Sequence, residues 1–357
     1  MVRGKVVRAV DVGYGNTKFV MEHEHGKEVV CSLFPSLAPH ASHGADLGAG
    51  VLKRRNTVVV DVEGVRYEVG KDSHLAQDAS HGRILDTTYP TSDPYLALVR
   101  GALFYMGEAE IDLLVLGLPV TNFMAYKDKI TERVVGKHLI PNLKSMAMGD
   151  EASPEMVEVE VKKVAVFPQP LGAFFDYSIR ENLYKDMKSQ VNLIIDPGYF
   201  TLDWLLAQGI KPIDARSGGH DGGMSAILNT IGESVSKKVG ARISDLSIID
   251  NAIRTGKPPR FFGQEMDISE HINEGKAKAR QFVSVLANKV GNGIDVDNII
   301  LAGGGAEFFK EAIQDKFPKH RLIITKDPVF ANVRGFQIAG EESMVRAEQM
   351  RDRAARV

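Results

Sequence analysis

Cysteine is almost missing from this sequence: the single Cys31 in 357 residues excludes a disulfide framework and any cysteine-based zinc knuckle. Charge of one sign is missing too. Lys+Arg 44 against Asp+Glu 46 gives a net charge of -2, so no overall basic field draws in nucleic acid. No apolar run approaches the roughly 18 residues needed to span a bilayer. The start, MVRGKVVRAVDVGYG, is charged within three residues and has no apolar stretch ending in a small-residue cleavage site, so it does not read as a signal peptide. Two common phosphate motifs are also lacking. No G-x-x-x-x-G-K-[ST] occurs, and G-x-G-x-x-G fails because Lys18 stands where the third glycine belongs. What is present is ordinary: 44% hydrophobic and 25% charged residues, which excludes a disordered chain, a fibre repeat or a coiled coil. The length suits two domains or one large one, and a soluble cytoplasmic protein is expected.

Short β-rich runs alternate with amphipathic stretches, the pattern of an α/β fold. Strands are expected over 6–12, 17–22, 27–33 and 111–116. A hairpin is expected over 57–62 and 65–69, with Glu63-Gly64 as its two-residue turn. A helix is expected over 95–105, after Asp93-Pro94. The second half repeats this grammar: strand over 157–167, helix over 172–180, strands over 191–195 and 201–206, helices over 224–239 and 276–290. A buried strand over 298–301 runs into three glycines, and a long helical pattern covers 333–356.

Three constellations carry chemistry. The first is Asp11-Val12-Gly13-Tyr14-Gly15-Asn16-Thr17-Lys18, where glycines at a hairpin tip let backbone N–H groups approach phosphate oxygens. Lys18 adds a point charge, and a carboxylate at a strand end suits a hydrated Mg²⁺. A plain glycine turn gives the same pattern. The second, Asp196-Pro197-Gly198-Tyr199-Phe200-Thr201-Leu202-Asp203, again sets a carboxylate at a strand end before a glycine turn. A chance turn has no reason to repeat both aspartate and glycine. The third, Leu301-Ala302-Gly303-Gly304-Gly305-Ala306-Glu307, passes from strand through glycines into a helix over 307–317, where a flat ring or a phosphate meets backbone. A tight β–α turn reads the same way.

In this order the three resemble the actin-like ATPase superfamily, over nearly the whole chain. Leu116-Gly117-Leu118-Pro119-Val120 with Phe167-Pro168-Gln169-Pro170-Leu171-Gly172-Ala173 is similar to the first interdomain connector of that superfamily. Ala331-Asn332-Val333-Arg334-Gly335-Phe336 is similar to the second. Length and the segments LGLPV, PQPLGAF and ANVRGF look most like the prokaryotic plasmid-segregation actins of the ParM/StbA type and their archaeal relatives. The second phosphate segment departs from its relatives, which are richer in glycine there.

The resemblance implies an α/β fold of two related domains around a nucleotide cleft. Domain I is expected over 1–165 plus 331–357, with a smaller insertion at about 33–95, and domain II over 166–330. ATP and Mg²⁺ are the implied cofactors. Asp11 and Asp196 would hold the hydrated metal. Gly13, Tyr14, Gly15, Asn16, Thr17, Lys18, Gly198, Tyr199 and Thr201 would line the phosphates, and Gly303, Gly304, Gly305 and Glu307 the adenosine. Gly222 and Gly223, in Ser217-Gly218-Gly219-His220-Asp221-Gly222-Gly223-Met224, resemble the segment beside the ribose and phosphates. Gln169 would place the attacking water, since a neutral amide orients water but cannot act as a base. The implied partners are further copies of the chain, in a filament, and a DNA-binding adaptor. Direct nucleic-acid or membrane binding is not expected.

Two other readings stay open: a nucleotide-responsive scaffold that does not polymerise, and a small-molecule kinase with Asp221 as base. In carbohydrate kinases the Gly-x-Asp loop precedes the second phosphate segment, whereas here it follows. The pairs His23/His25 and His40/His43 fit a solvated insertion better than a metal site. Arg346 to Arg356 fits a solvated helix face. The lone Trp204 is expected in the core beside the second hairpin.

Overall fold

The computed structural model describes residues 5–21, 23–24, 26–41, 55–76, 83–147 and 154–354. The chain divides into two compact units, Met1–Tyr184 with Phe330–Val357, and Lys185–Val329.

In the first unit five strands, β1 (Val7–Val12), β2 (Asn16–Val20), β3 (Cys31–Pro35), β4 (Leu113–Leu118) and β5 (Val164–Pro168), form a sheet in the order β5-β4-β1-β2-β3. β1 runs antiparallel to β2 and parallel to β4; β2 and β3 are antiparallel, β4 and β5 parallel. Every residue of β1 and β4 is buried, which explains their near-continuous apolar runs. The polar exceptions in β1 are partnered: Arg8 pairs with Glu108, and Asp11 belongs to the site described below. Helix α1 (Asp93–Met106) begins at the Ser92 cap with Pro94 in its first turn and ends at Gly107, whose φ of 68° closes it. It packs on β1, β2 and the hairpin Thr57–Val62/Val65–Gly70. That hairpin turns through Glu63 and Gly64 at φ 53° and 83°, the type I′ geometry expected of a two-residue turn.

The strand expected over 157–167 is two strands in two sheets. Met156–Val161 pairs with Gly136–Pro141, and β5 pairs with β4. The chain changes sheets at Lys162-Lys163, where Lys162 Nζ is held 2.6 Å from Glu110. Alternating apolar residues report which face is buried, not which strand is the neighbour.

Helix α2 (Gln169–Arg180) and the final helix, Ala331–Ala354, cross in the first unit. The first unit runs through Tyr184, beyond the expected start of the second domain at 166, because β5 pairs with β4 and α2 packs on the final helix. Asp176, fully buried, accepts from Arg334 Nε at 2.9 Å and Nη2 at 2.8 Å. The rings of Phe167 and Phe336 lie 6.2 Å apart beside it.

Cys31, on β3, reports on this packing. Burial pushes its thiol up to about 12, with Arg334 only partly opposing. At pH 8 the thiolate is therefore about three orders of magnitude scarcer than for a free cysteine near 8.5. Cys31 should react with an aromatic disulfide reagent at least about 100-fold more slowly in the native protein than in urea. Equal rates would show that this strand is open.

The second unit repeats the first. Its sheet contains β6 (Val191–Pro197), β7 (Leu202–Gln208), β8 (Gly218–His220), β9 (Asn298–Leu301) and β10 (Leu322–Ile324). The order is Lys211–Pro212, β7, β6, β9, β10, with β8 also on β7. Strand senses match the first sheet position by position: antiparallel, antiparallel, parallel, parallel. Helices α3 (Met224–Val239), α4 (Ser269–Val290) and α5 (Ala306–Lys316) pack on this sheet through Ile227, Ile231, Val283, Leu286 and Phe309. Trp204 is buried there and donates to Arg216 O at 2.9 Å. Among the described residues no helix is long and apolar enough to cross a membrane.

Candidate functional site

The central hairpin occupies the equivalent place in the strand order of each sheet, and each hairpin has an aspartate near the end of its first strand. Asp11 is 1% exposed. A carboxylate so buried requires hydrogen-bond donors, and it has two on opposite oxygens. Lys18 Nζ, on the facing residue of β2, donates to Oδ2 at 2.9 Å; Gln169 Nε2, first residue of α2, donates to Oδ1 at 2.6 Å. Gly117 makes room for this: a Cβ there would stand 2.5 Å from the Phe336 ring and 3.0 Å from Gln169 Cγ. The connector motif is thus a packing requirement that seats Gln169 on Asp11.

The hairpin tip is pinned from below. Ser36 Oγ donates to Gly13 O at 2.6 Å, Ser36 N to Gly15 O at 3.0 Å, and Arg83 Nη2 also to Gly15 O at 3.0 Å. Lys18 Nζ lies 3.0 Å from where a Gly13 Cβ would be, so the ammonium sits directly over the tip. Tyr14 and Thr17 turn their side chains inward. Tyr14 packs on Tyr89 with ring centroids 5.2 Å apart and donates to Asp86 O, and Thr17 is hydrogen-bonded to Ser36. Burial raises the phenols of Tyr89 and Tyr95 above the ordinary tyrosine range, and for Tyr95 the neighbouring Tyr89 and then Asp11 act in the same direction.

In the second unit Asp196 faces Asp203 across the β6–β7 hairpin, the two 6% and 2% exposed. The first hairpin therefore opposes its aspartate with an ammonium and the second opposes its own with another carboxylate. Asp203 also accepts from Thr201 Oγ1. The turn closes through Gly198 N to Thr201 O at 2.8 Å. Its carbonyls meet the N-terminus of α3: Met224 N bonds Gly198 O at 3.0 Å, Ser225 N bonds Tyr199 O at 2.7 Å, and Gly223 N bonds Phe200 O at 2.9 Å. These satisfy helix-start donors that otherwise need water or a ligand. The Tyr199 side chain packs on the core.

The glycine run after β9 meets the same hairpin. Gly303 has φ +80°, and a Cβ there would lie 2.0 Å from Asp196 Oδ1, so only glycine lets Asp196 rest against this backbone. Gly305 N bonds Pro197 O at 2.9 Å, while Gly304 faces open space. Gly222 and Gly223 act as space-makers: their N–H groups bond His220 O and Phe200 O, and a Cβ would strike Phe282 or Tyr199. Glu307 is exposed on α5, beside Lys310.

The structure thus brings Asp11, Lys18, Gly13 and Gln169 together in one unit, and Asp196, Gly198, Gly223, Gly303 and Gly305 in the other. Sequence reading missed Ser36, Arg83 and the facing position of Asp203. Only Asp203 left a signal, at the same offset from Asp196 that Lys18 has from Asp11. His23 pairs with Glu341 at 3.1 Å and His40 packs edge-on to Tyr67; His25 and His43 of the considered pairs and Arg356 lie outside the described residues. Among the described residues no group of three or more histidines, cysteines or carboxylates is placed to hold a metal.

Two family models match the chain: actin like proteins, N terminal domain, over residues 9–172, and archaeal actin homologue MreB-like, C-terminal, over residues 194–315. No protein of curated function matches it. Among solved structures, the archaeal actin homolog Ta0583 superposes with a TM-score of 0.72 at 18% identity, covering 95% of this chain and 99% of that one. The same protein in complex with ADP gives 0.73 at 18% identity, covering 94% and 99%. The subunit of a 15-stranded ParM filament from Clostridium botulinum gives 0.72 at 18%, covering 95% and 100%. The actin-like protein Alp7A gives 0.71 at 15%, covering 98% and 99%.

Proposed function

Because this chain belongs to the actin-like proteins, we propose that it is an ATPase that assembles into filaments in a nucleotide-dependent way and serves in segregating plasmid DNA. The observation that carries this reading is the pair of topologically equivalent hairpins, each with a buried aspartate beside a glycine tip. The ADP complex of Ta0583 and the ParM filament support it by likeness of fold.

In this reading the hairpin tip of Gly13–Gly15 with Lys18, and that of Gly198 with Thr201, take the phosphates of ATP. Gly303–Gly305 take the adenosine, with Gly304 the open position of the run. Each unit offers hard oxygens of the kind a hydrated Mg²⁺ takes, Asp11 in the first and Asp196 facing Asp203 in the second. Bound there, Mg²⁺ would neutralise charge on the phosphates. Gln169 orients the attacking water. Its amide donates to Asp11 through Nε2, which fixes its rotamer. Self-association by a non-closing head-to-tail contact gives a filament, and the near-neutral charge routes the link to DNA through an adaptor protein.

Light scattering of the purified protein should rise on adding Mg²⁺-ATP, stay flat with Mg²⁺-ADP, and decay as phosphate is released. A flat trace with ATP bound would replace the filament with a non-polymerising scaffold. The N–H groups at the start of α3 favour that alternative in one respect, since they are already spent on the hairpin carbonyls of the second unit.

A further inference from the structure

We infer that Ser36 is the positioning residue of the first phosphate hairpin, setting the direction of the backbone N–H groups that meet the polyphosphate. The inference rests on the nucleotide reading above and goes beyond it in naming what holds the cradle in shape.

Ser36 follows β3 and is buried. It engages the hairpin tip at two carbonyls, Gly13 O through its hydroxyl at 2.6 Å and Gly15 O through its amide at 3.0 Å. A serine hydroxyl has one proton, and a carbonyl can only accept, so that proton goes to Gly13 O. Thr17 Oγ1, 3.0 Å away, is then the donor to Ser36 Oγ. Thr17 is itself fully buried, which leaves its hydroxyl no freedom to swing out toward a ligand.

The consequence follows from peptide geometry. In a planar trans peptide the C=O and the next residue's N–H point in opposite directions. Drawing Gly13 O down onto Ser36 therefore turns the Tyr14 N–H away from Ser36. Drawing Gly15 O onto Ser36 N and Arg83 does the same for the Asn16 N–H. Glycines at 13 and 15 make the tip pliable, and pliable glycines do not choose a peptide orientation unaided. Ser36 supplies the choice, so the direction of these N–H groups is set before a ligand arrives.

The test is nucleotide affinity of wild type and Ser36→Ala, read by competition against a fluorescent ATP analogue with ATP and AMP as competitors, alongside melting temperature. The hairpin meets the outer phosphates and not the adenosine, so Ser36→Ala should weaken ATP about 10-fold and leave AMP within about twofold, with Ser36→Thr restoring most of the ATP affinity. Equal loss for ATP and AMP, tracking a fall in melting temperature, would mean a merely structural serine and overturn the inference. Unchanged ATP affinity would overturn it as well. If Ser36→Ala does not fold, Arg83→Met removes another donor to Gly15 O and is read the same way. Failure of the wild type to bind ATP at all would sink the nucleotide reading itself, a result distinct from a wild type and a variant that bind alike.

Discussion

Gly335→Ala is expected to destabilise the first unit by on the order of 4 kcal/mol or more, the range reached only when packing itself is broken. Two effects compete. Alanine is the better helix former by about 1 kcal/mol, which favours the variant within the final helix. Against this, a Cβ at 335 would stand 1.7 Å from Gly172 O and 2.9 Å from Asp176 N, both backbone atoms of α2. Backbone cannot swing aside as a side-chain end does, so the helices must part. Parting also stretches the buried pair of Asp176 and Arg334, whose desolvation is offset only at good geometry. The steric effect wins. Thermal melting should fall by roughly 10 °C or more for a unit of this size. Gly340→Ala is the milder comparison, because the atoms nearest its Cβ belong to side chains, Val115 at 2.7 Å and Val7 at 2.9 Å, and not to backbone. A Gly335→Ala melt within 2–3 °C of wild type, an interval near 1 kcal/mol, would show that the two helices are not in contact as described.

That crossing marks where sequence reasoning gave out. The hairpin strands, the aspartates at their ends and the glycine run were legible because they rest on local rules: alternation, turn chemistry, and carboxylate placement after a buried strand. The repeat between the halves was legible in Asp11 and Asp196 and holds in the order and sense of both sheets. Ser36 was not legible. It lies in a stretch with no clean period, and its role depends on Gly13, 23 residues earlier. Gly222 and Gly223 show the opposite failure. Glycine before a helix suggests an open anion cradle, yet here the helix start is closed by the carbonyls of the neighbouring hairpin, which no local pattern reports. Gly172 and Gly335 lie in the connector segments, but the reason each must be glycine is not local and shows only where two distant helices touch.

The second large effect concerns turnover. Gln169→Ala should lower the rate of ATP hydrolysis on the order of 100-fold while leaving ATP affinity within about threefold. Gln169 is 8% exposed and its Nε2 donates to Asp11 at 2.6 Å, so the amide has one orientation, with its oxygen directed away from Asp11. The nucleotide would be held by the hairpin tips, by Lys18 and by the glycine run, none of which the substitution touches. Binding and chemistry should therefore separate. The truncation also leaves Asp11 with Lys18 as its remaining described donor, a cost of about 1–3 kcal/mol that melting would register. Gln169→Glu distinguishes the two contributions. It keeps the shape but replaces the amide donor with a second carboxylate against Asp11, where like charges repel and no N–H is offered. Glutamate should therefore fail to restore turnover near neutral pH. Restoration by glutamate would mean a base, not a water-orienting amide, is what the reaction needs, and would move the protein to the kinase class. Undiminished hydrolysis in Gln169→Ala would remove this residue from the chemistry and leave its contact with Asp11 as a matter of packing.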